Sequence, residues 1–449
     1  MQKELVERHA GPTPRYTSYP TAPHFHAGIE TGTYRSWLSG LGNGNTLSLY
    51  VHIPYCDRLC WFCGCATKQT LRYDPLTTYL AALYNEIDTI ANLIDPSCRV
   101  AALHFGGGSP TMLKPEDITV LGKRIKSRFH FDFDAEISVE MDPNDLDEPR
   151  YDAFADIGMT RASIGVQDFN PKVQGAINRE QTFEQTKSVV DAVRARGVRS
   201  VNCDVLYGLP FQTRASVDET LSQVLSLGPD RIALFGYAHV PWMKNHQKMI
   251  DESVLPDAAE RFAQMNHASS QITSAGYTAI GIDHFALPGD SLSLAAATGH
   301  MRRNFQGYTV ETADALIGLG ASSISQLPQG YVQNDPATAS YQRKVNAGEL
   351  ATVRGFELAD EDRIRARIIE LLMCNFAFSF TEIDKQFGSA ANTVLDEARY
   401  FAQADPDGMI EYTGGLFQVT PKGKPFVRSI ASVFDAYLAA GNARYSQAV

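Results

Sequence analysis

Four of the chain's seven cysteines fall within ten residues, Cys56, Cys60, Cys63 and Cys65, in YVHIPYCDRLCWFCGC, directly after an apolar, strand-like run. Three thiolates spaced C-x3-C-x2-C can take three corners of a [4Fe-4S] cube. With no fourth ligand in the run fixed to the last iron, that iron is open to a substrate or cofactor, which implies chemistry and not scaffolding. Structural zinc sites instead pair C-x2-C knuckles across a longer gap or mix Cys with His, and their ligands close the coordination sphere. Cys98, Cys203 and Cys374 are scattered. They read as small buried apolar residues, and the count does not suggest a disulfide framework.

The elements that must position this loop follow a regular rhythm. From about Leu47 to Ser325, short β-branched or apolar runs alternate with longer amphipathic stretches: LSLYVHI, TYLAALYNEIDTIANLI, ALHFGGG, DITVLGKRIKSRF, EISVEMDP and so on to RIALFGYAHVP. Such alternation predicts an α/β fold of parallel strands covered by helices, closed or partly closed into a barrel. In a barrel or an open sheet alike, ligands sit at the C-terminal strand ends. The chemistry-bearing residues collect there. The cysteine loop follows LSLYVHI, Gly106 to Gly108 follow ALHF, Glu140 ends EISVE, Gln167 ends RASIGVQ, Asp204 lies late in SVNCDVL, and Ala238 closes RIALFGYA.

At 449 residues the chain is too long for one ordinary core. The expected division is an N-terminal segment over 1–30, a barrel domain over 31–346 and a smaller, mainly helical C-terminal domain over 347–449 with one short strand pair. That last part resembles a winged helix but lacks a concentrated basic recognition helix. A net charge of −11 likewise argues against a nucleic-acid surface and leaves a small molecule as the expected partner. No apolar stretch approaches the roughly 18 residues that span a bilayer, and the N-terminus has no apolar signal segment. No membrane insertion and a cytoplasmic location are expected.

The cysteine loop and the glycines after the next strand are similar to those of the radical S-adenosylmethionine (SAM) superfamily. More narrowly, PRYTSYPT, the loop YVHIPYCDRLCWFCGC, LHFGGGSPT, EISVEMDP, GVQDFN, INREQ, DVLYGLP, GIDHFALP and RNFQGYT resemble the oxygen-independent coproporphyrinogen III dehydrogenases of anaerobic haem synthesis, almost end to end. The resemblance implies a radical SAM partial (β/α) barrel with the smaller helical C-terminal domain. It implies Cys56, Cys60 and Cys63 as thiolate ligands of a [4Fe-4S] cluster whose remaining iron chelates SAM, and two SAM molecules per active site. Tyr50, Gly107, Glu140 and Ile324 would contact the cluster-bound SAM. Phe62, Gly108, Ser109, Gln167, Arg179, Asp204 and Ala238 would contact the second. The residue types suit these roles: glycines admit close backbone approach, carboxylates accept from an ammonium or ribose, and Arg179 can fork onto a carboxylate. Taken singly, each is as readily a turn glycine or a solvated ion pair.

Two departures stand out, Ser109 where the family has Thr and Ala66 where relatives carry Asn. Cys65 matches the family's C-G-C ending, and its role as a further thiol or a proton or electron relay stays open. Coproporphyrinogen III, a flexible macrocycle with four propionates, would meet Arg15 of RYTSYPT together with Arg302, Arg303, Gln306 and Tyr308 around RNFQGYT. The implied reaction is hydrogen abstraction from a propionate, one-electron oxidation and loss of carbon dioxide to leave a vinyl, twice, giving protoporphyrinogen IX. A low-potential donor of flavodoxin or ferredoxin type, an unidentified electron acceptor and a monomeric state are expected. The rival readings are a haem chaperone of the same superfamily, which carries Phe in place of Cys65, and a radical SAM enzyme acting on another tetrapyrrole.

Overall fold

The computed structural model describes residues 2–9, 11–42, 44–144, 146–438 and 445–446. Six parallel strands form the middle of a 12-stranded sheet: β1 Thr46–Ile53, β2 Arg99–Gly107, β3 His130–Met141, β4 Arg161–Gln167, β5 Ser200–Tyr207 and β6 Arg231–Gly236. They pair in chain order, because each is followed by a helix that carries the chain back to the sheet's starting edge. The helix after β1, Asp74–Leu93, turns Leu76, Leu80, Leu83, Ile87 and Ile90 onto the sheet at a spacing of three to four residues.

Beyond β1 lies a parallel strand, Ala315–Leu319, and then the antiparallel run Ile324–Leu327, Gly330–Asn334 and Thr352–Glu357. Beyond β6 lie His284–Ala286 and Thr278–Ile280, also antiparallel. Thr352–Glu357 and Thr278–Ile280 end the sheet on either side, so the barrel is partial. The sheet's last strand falls after residue 346, where the sequence suggests a division.

Alternation along the strands decides what faces the lumen. In β1, Leu47, Leu49, Val51 and Ile53 are fully buried against helices while Tyr50 looks inward; in β4 the inward set is Arg161, Ser163, Gly165 and Gln167. Register then aligns the inward residues into layers. Tyr50 pairs with His104 and His104 with Ser138; Glu140 pairs with Ser163 and Gly165 with Asp204.

A second core joins the C-terminal part to the start of the chain. Ile364, Ile368 and Leu372 of the helix Asp360–Asn375 pack with Phe378, Phe417, Phe426 and Phe434, and with Leu5, Val6, Tyr16 and Tyr19. The expected strand pair is present as Ile410–Thr413 and Leu416–Val419, turning through Gly414 and Gly415 with positive φ, as a two-residue hairpin demands. A third strand, Ala377–Ser379, completes this sheet. At three residues it is too short to show alternation in the sequence.

Candidate active site

The cysteine loop leaves β1 and is closed at its neck by a two-residue parallel bridge, Tyr55 and Cys56 against Lys68 and Gln69. Each of the three spaced sulfurs has a polar neighbour. Cys56 Sγ lies 3.1 Å from the Thr67 hydroxyl, Cys60 Sγ accepts from Arg179 Nη1 at 3.6 Å, and Cys63 Sγ accepts the Cys65 amide at 3.3 Å. The loop's carbonyls are tied from the other side of the barrel mouth. Lys244 Nζ donates to Cys65, Gln247 Nε2 donates to Phe62 and Ala238, and His246 Nε2 lies 2.7 Å from the Cys63 carbonyl.

As free thiols the three differ. Burial pushes Cys56 up to about 12 and raises Cys60, whereas the Cys65 thiol hydrogen bond brings Cys63 down to about 7. The same bond raises Cys65. The donor set fits an anionic iron-sulfur cluster: sulfur-only ligands, hydrogen bonds aimed at the sulfurs, and the cations Arg179 and Lys244 beside the loop. Among the described residues no three His, Cys, Asp or Glu side chains are grouped to hold a single metal ion.

The glycines after β2 are required by contact. A Cβ on Gly106 would lie 2.8 Å from the Glu140 carboxylate, one on Gly107 2.8 Å from the His52 ring, and one on Gly108 2.5 Å from the Tyr55 carbonyl; Gly107 also has φ +118°. The Gly107 amide donates to Glu140 Oε2 at 3.1 Å, and His104 Nε2 lies 3.1 Å from Oε1. Burial works against the charge on Glu140, but His104 and the Gly107 amide bring its carboxyl below the usual range. The Tyr50 ring stacks on His104 at 5.7 Å, and its hydroxyl is 3.0 Å from His52 Nδ1. Ser109 is buried with its hydroxyl 2.7 Å from that of Thr111.

Across the lumen, Arg179 is 7 % exposed and donates to Asp142 at 2.9 Å and to the Gly165 carbonyl at 2.8 Å, while its Nε is buried with no hydrogen-bond partner among the described residues. Burial opposes ionisation of Asp142, and the Arg179 charge overcomes it. Gln167 ends β4 at φ +66°, a left-handed turn held by a non-glycine residue at a strand end. Asp204 accepts from Asn202 at 2.7 Å and from Ser163 at 3.2 Å; burial lifts its carboxyl to about 6. Ala238 follows β6, Phe62 packs beside Val173, Ile177, Leu206 and Tyr237, and Ile324 opens the strand beside Ala315–Leu319.

The substrate-side expectations divide. Gln306, at the tip of the hairpin Arg302–Asn304 and Gly307–Thr309, lines a lumen cavity of about 120 Å³ with His104, Ser138, Ser163 and Asn202. Arg15 reaches the strand ends, donating to the Gly236 carbonyl at 2.6 Å. Tyr308 lines the same cavity as Gln306, its hydroxyl donating to the Met373 carbonyl, while Arg302 pairs with Glu370 at 2.9 Å and Arg303 donates to the Tyr16 and Arg15 carbonyls. Their contacts join hairpin, N-terminal segment and C-terminal core.

A model of the radical SAM superfamily matches residues 50–224, and one of the HemN C-terminal domain matches 358–426. The oxygen-independent coproporphyrinogen III oxidase of Paracoccus denitrificans is 45% identical over 94% of each chain, and that of Salmonella typhimurium 39% over 97% of this chain and 95% of the relative. The chain belongs to the oxygen-independent coproporphyrinogen III oxidase family. The solved structure of the Escherichia coli family member, coproporphyrinogen III oxidase (HemN), described as a radical SAM enzyme, superposes with a TM-score of 0.90 at 38% identity, covering 94% of this chain and 98% of that one. Membership of the superfamily carries with it a [4Fe-4S] cluster and SAM.

Several residues of the site were not singled out by sequence reasoning: His52, His104, Asp142, and the loop-tying Lys244, His246 and Gln247. His52 and His104 had a visible signal, a polar side chain two positions from another inward residue on one strand; Asp142, just past the end of β3, had none. The last three had none, because a long connection joins them to the cluster loop.

Proposed function

We propose that this chain converts coproporphyrinogen III to protoporphyrinogen IX without oxygen, by oxidative decarboxylation of two propionates to vinyls in haem biosynthesis. The observation that carries this reading is the cysteine loop set at the mouth of a polar lumen beside the glycine turn and Glu140, within a chain whose family likeness runs end to end. When bound, the cluster and SAM supply one-electron cleavage of the sulfonium and a 5′-deoxyadenosyl radical able to take hydrogen from a propionate β-carbon. The propionate that loses hydrogen then gives up one electron and carbon dioxide, leaving the vinyl.

The chain's own groups orient and shield. Cys56, Cys60 and Cys63 would hold the cluster, and Tyr50, Gly107, Glu140 and Ile324 would seat the SAM on it, Glu140 as a hydrogen-bond acceptor. Phe62, Gly108, Ser109, Gln167, Arg179, Asp204 and Ala238 seat a second SAM, Asp204 serving as acceptor when ionised. Gln306 and Arg15 face the substrate. Cys65, exposed beside Cys63, serves in this reading as a further thiol or as a proton or electron relay. One electron, from a low-potential flavodoxin or ferredoxin type donor, is consumed in cleaving SAM, and a second, given up by the substrate, leaves to an acceptor of unassigned identity. The enzyme works as a cytoplasmic monomer, and among the described residues no helix is long and apolar enough to cross a membrane. Residues 1–30, 31–346 and 347–449 are taken as its three working parts, the last strand of the large sheet reaching across the second division.

The test is an anaerobic incubation of the reconstituted enzyme with SAM, dithionite, coproporphyrinogen III and a cell extract as acceptor, with products read by mass. Wild type yields the doubly decarboxylated product and Cys60→Ala yields none. Stable haem binding with no SAM cleavage would favour the chaperone instead.

A further inference from the structure

A cavity of about 250 Å³ lies between β6, the helix Ala258–Ser274 and the C-terminal core, and it gathers positive charge from three distant parts of the chain. Arg15 comes from the N-terminal segment, Arg261 from the helix, and Lys424 and Arg428 from the C-terminal core; the one carboxylate in its lining, Asp283, has its Oδ1 2.6 Å from His284 Nδ1. Arg15 donates to the Gly236 carbonyl, Arg261 to the Tyr237 carbonyl at 2.9 Å, and Arg428 to the Pro14 and Thr13 carbonyls. The carbonyls that Arg15 and Arg261 donate to cancel no charge, and the Asp283 carboxylate, kept below its usual range against burial by His284, Arg303 and Arg15, is a single negative charge among the four cations. Burial, then the Arg15 charge, push Arg428 down to about 9, and burial lowers Arg261.

Arg261 is built in, not accidental. A Cβ on Gly208 would lie 2.5 Å from its Nη1 and one on Gly236 3.2 Å from its Nη2, so two glycines make room for the guanidinium. Its Nε is buried with no hydrogen-bond partner among the described residues. A buried donor left unmade is costly, and an anion answers both the orphan N–H and the crowded charge.

We propose that this cavity binds the carboxylate of a propionate that the tetrapyrrole keeps, anchoring the macrocycle while another propionate reacts. The inference rests on the function proposed above. Gly236 and Tyr237 run directly into Ala238, so the anchor sits beside the strand ends. The retained propionate is the one that fits, because the reaction turns a carboxylate into neutral carbon dioxide. A nest of arginines stabilises the starting carboxylate over that transition state and would slow its loss.

The test compares binding of coproporphyrin III, protoporphyrin IX and coproporphyrin tetramethyl ester to anaerobic, cluster-loaded wild type, Arg261→Gln and Arg261→Lys, followed by porphyrin fluorescence, with thermal melting as the fold control. Protoporphyrin IX carries only the two retained propionates. Arg261→Gln is expected to weaken both acids by on the order of tenfold, the scale of one charge-assisted hydrogen bond, to spare the ester and SAM, and to be partly rescued in Arg261→Lys. With coproporphyrinogen III as substrate it raises KM more than it lowers kcat. If Arg261→Gln melts early, Arg15→Gln and Arg261→Lys carry the comparison. Unchanged affinity for the acids, an equal loss for the ester, or a loss confined to SAM or to inorganic phosphate overturns the proposal. The expected binding pattern in a wild type that converts no coproporphyrinogen III would sink the proposed function and leave the pocket standing.

Discussion

Glu140 and Asp204 face the same lumen from β3 and β5, yet their carboxyls are pushed in opposite directions. Glu140 has an imidazole and a backbone amide to hold its charge, whereas at Asp204 burial and the nearby Glu140 charge outweigh the Asn202 and Ser163 donors and His284. Asp204 therefore gains a proton as pH falls through about 6 and ceases to be a pure acceptor. At the second SAM site proposed above, SAM affinity should drop over that range in wild type and stay flat in Asp204→Asn, measured by equilibrium binding at fixed ionic strength. Asp142 predicts a second effect. It is the carboxylate partner of the buried Arg179, so Asp142→Ala should cost roughly 3 kcal/mol in denaturant unfolding by stranding that charge. The block EISVEMDP was legible in the sequence, and so was Glu140 at a strand end. Asp142 was not, since nothing in one dimension says that Arg179 folds back across the lumen to meet it.

At the scale of elements, the βα rhythm was legible because each strand's outward face is continuously apolar and each following helix repeats at three to four residues. What escaped was short or long-range: the three-residue strand Ala377–Ser379, and the contacts by which Arg302, Arg303 and Tyr308 tie the hairpin to the N-terminal segment and the C-terminal core. The glycine turn after β2 carries a sharp expectation. Gly108→Ala must push against the Tyr55 carbonyl, which is backbone, so it should lower stability by about 2 kcal/mol and abolish SAM cleavage, as read by melting and by 5′-deoxyadenosine release. Glu86, on the helix after β1, accepts from the Gly320 amide, Asn334 and Tyr341, and burial lifts its carboxyl from 4.5 to about 7. The folded chain thus keeps a proton that the unfolded chain releases. The stability from that proton is complete below about pH 4.5, is lost as pH rises toward 7, and stays lost above. Melting temperature should fall across that window in wild type and much less in Glu86→Gln.

For the whole molecule, the N-terminal segment is part of the far core. Leu5, Val6, Tyr16 and Tyr19 pack among the C-terminal residues, and Arg15 and Tyr16 are held through their carbonyls by Arg303. Removal of residues 2–20 should speed hydrogen exchange across 360–434 while the strands β1–β5 keep their protection. Sequence alone placed this segment beside the site but gave no sign of its docking, because a contact between residues some 400 apart leaves no local pattern. The proposed reaction turns on coupling between cofactor cleavage and decarboxylation. The most direct measurement is the ratio of 5′-deoxyadenosine released to carboxyl groups lost from coproporphyrinogen III, by mass, in anaerobic single-enzyme turnover. One 5′-deoxyadenosine per vinyl formed is predicted, with two per protoporphyrinogen IX. SAM cleavage with every propionate intact would contradict it.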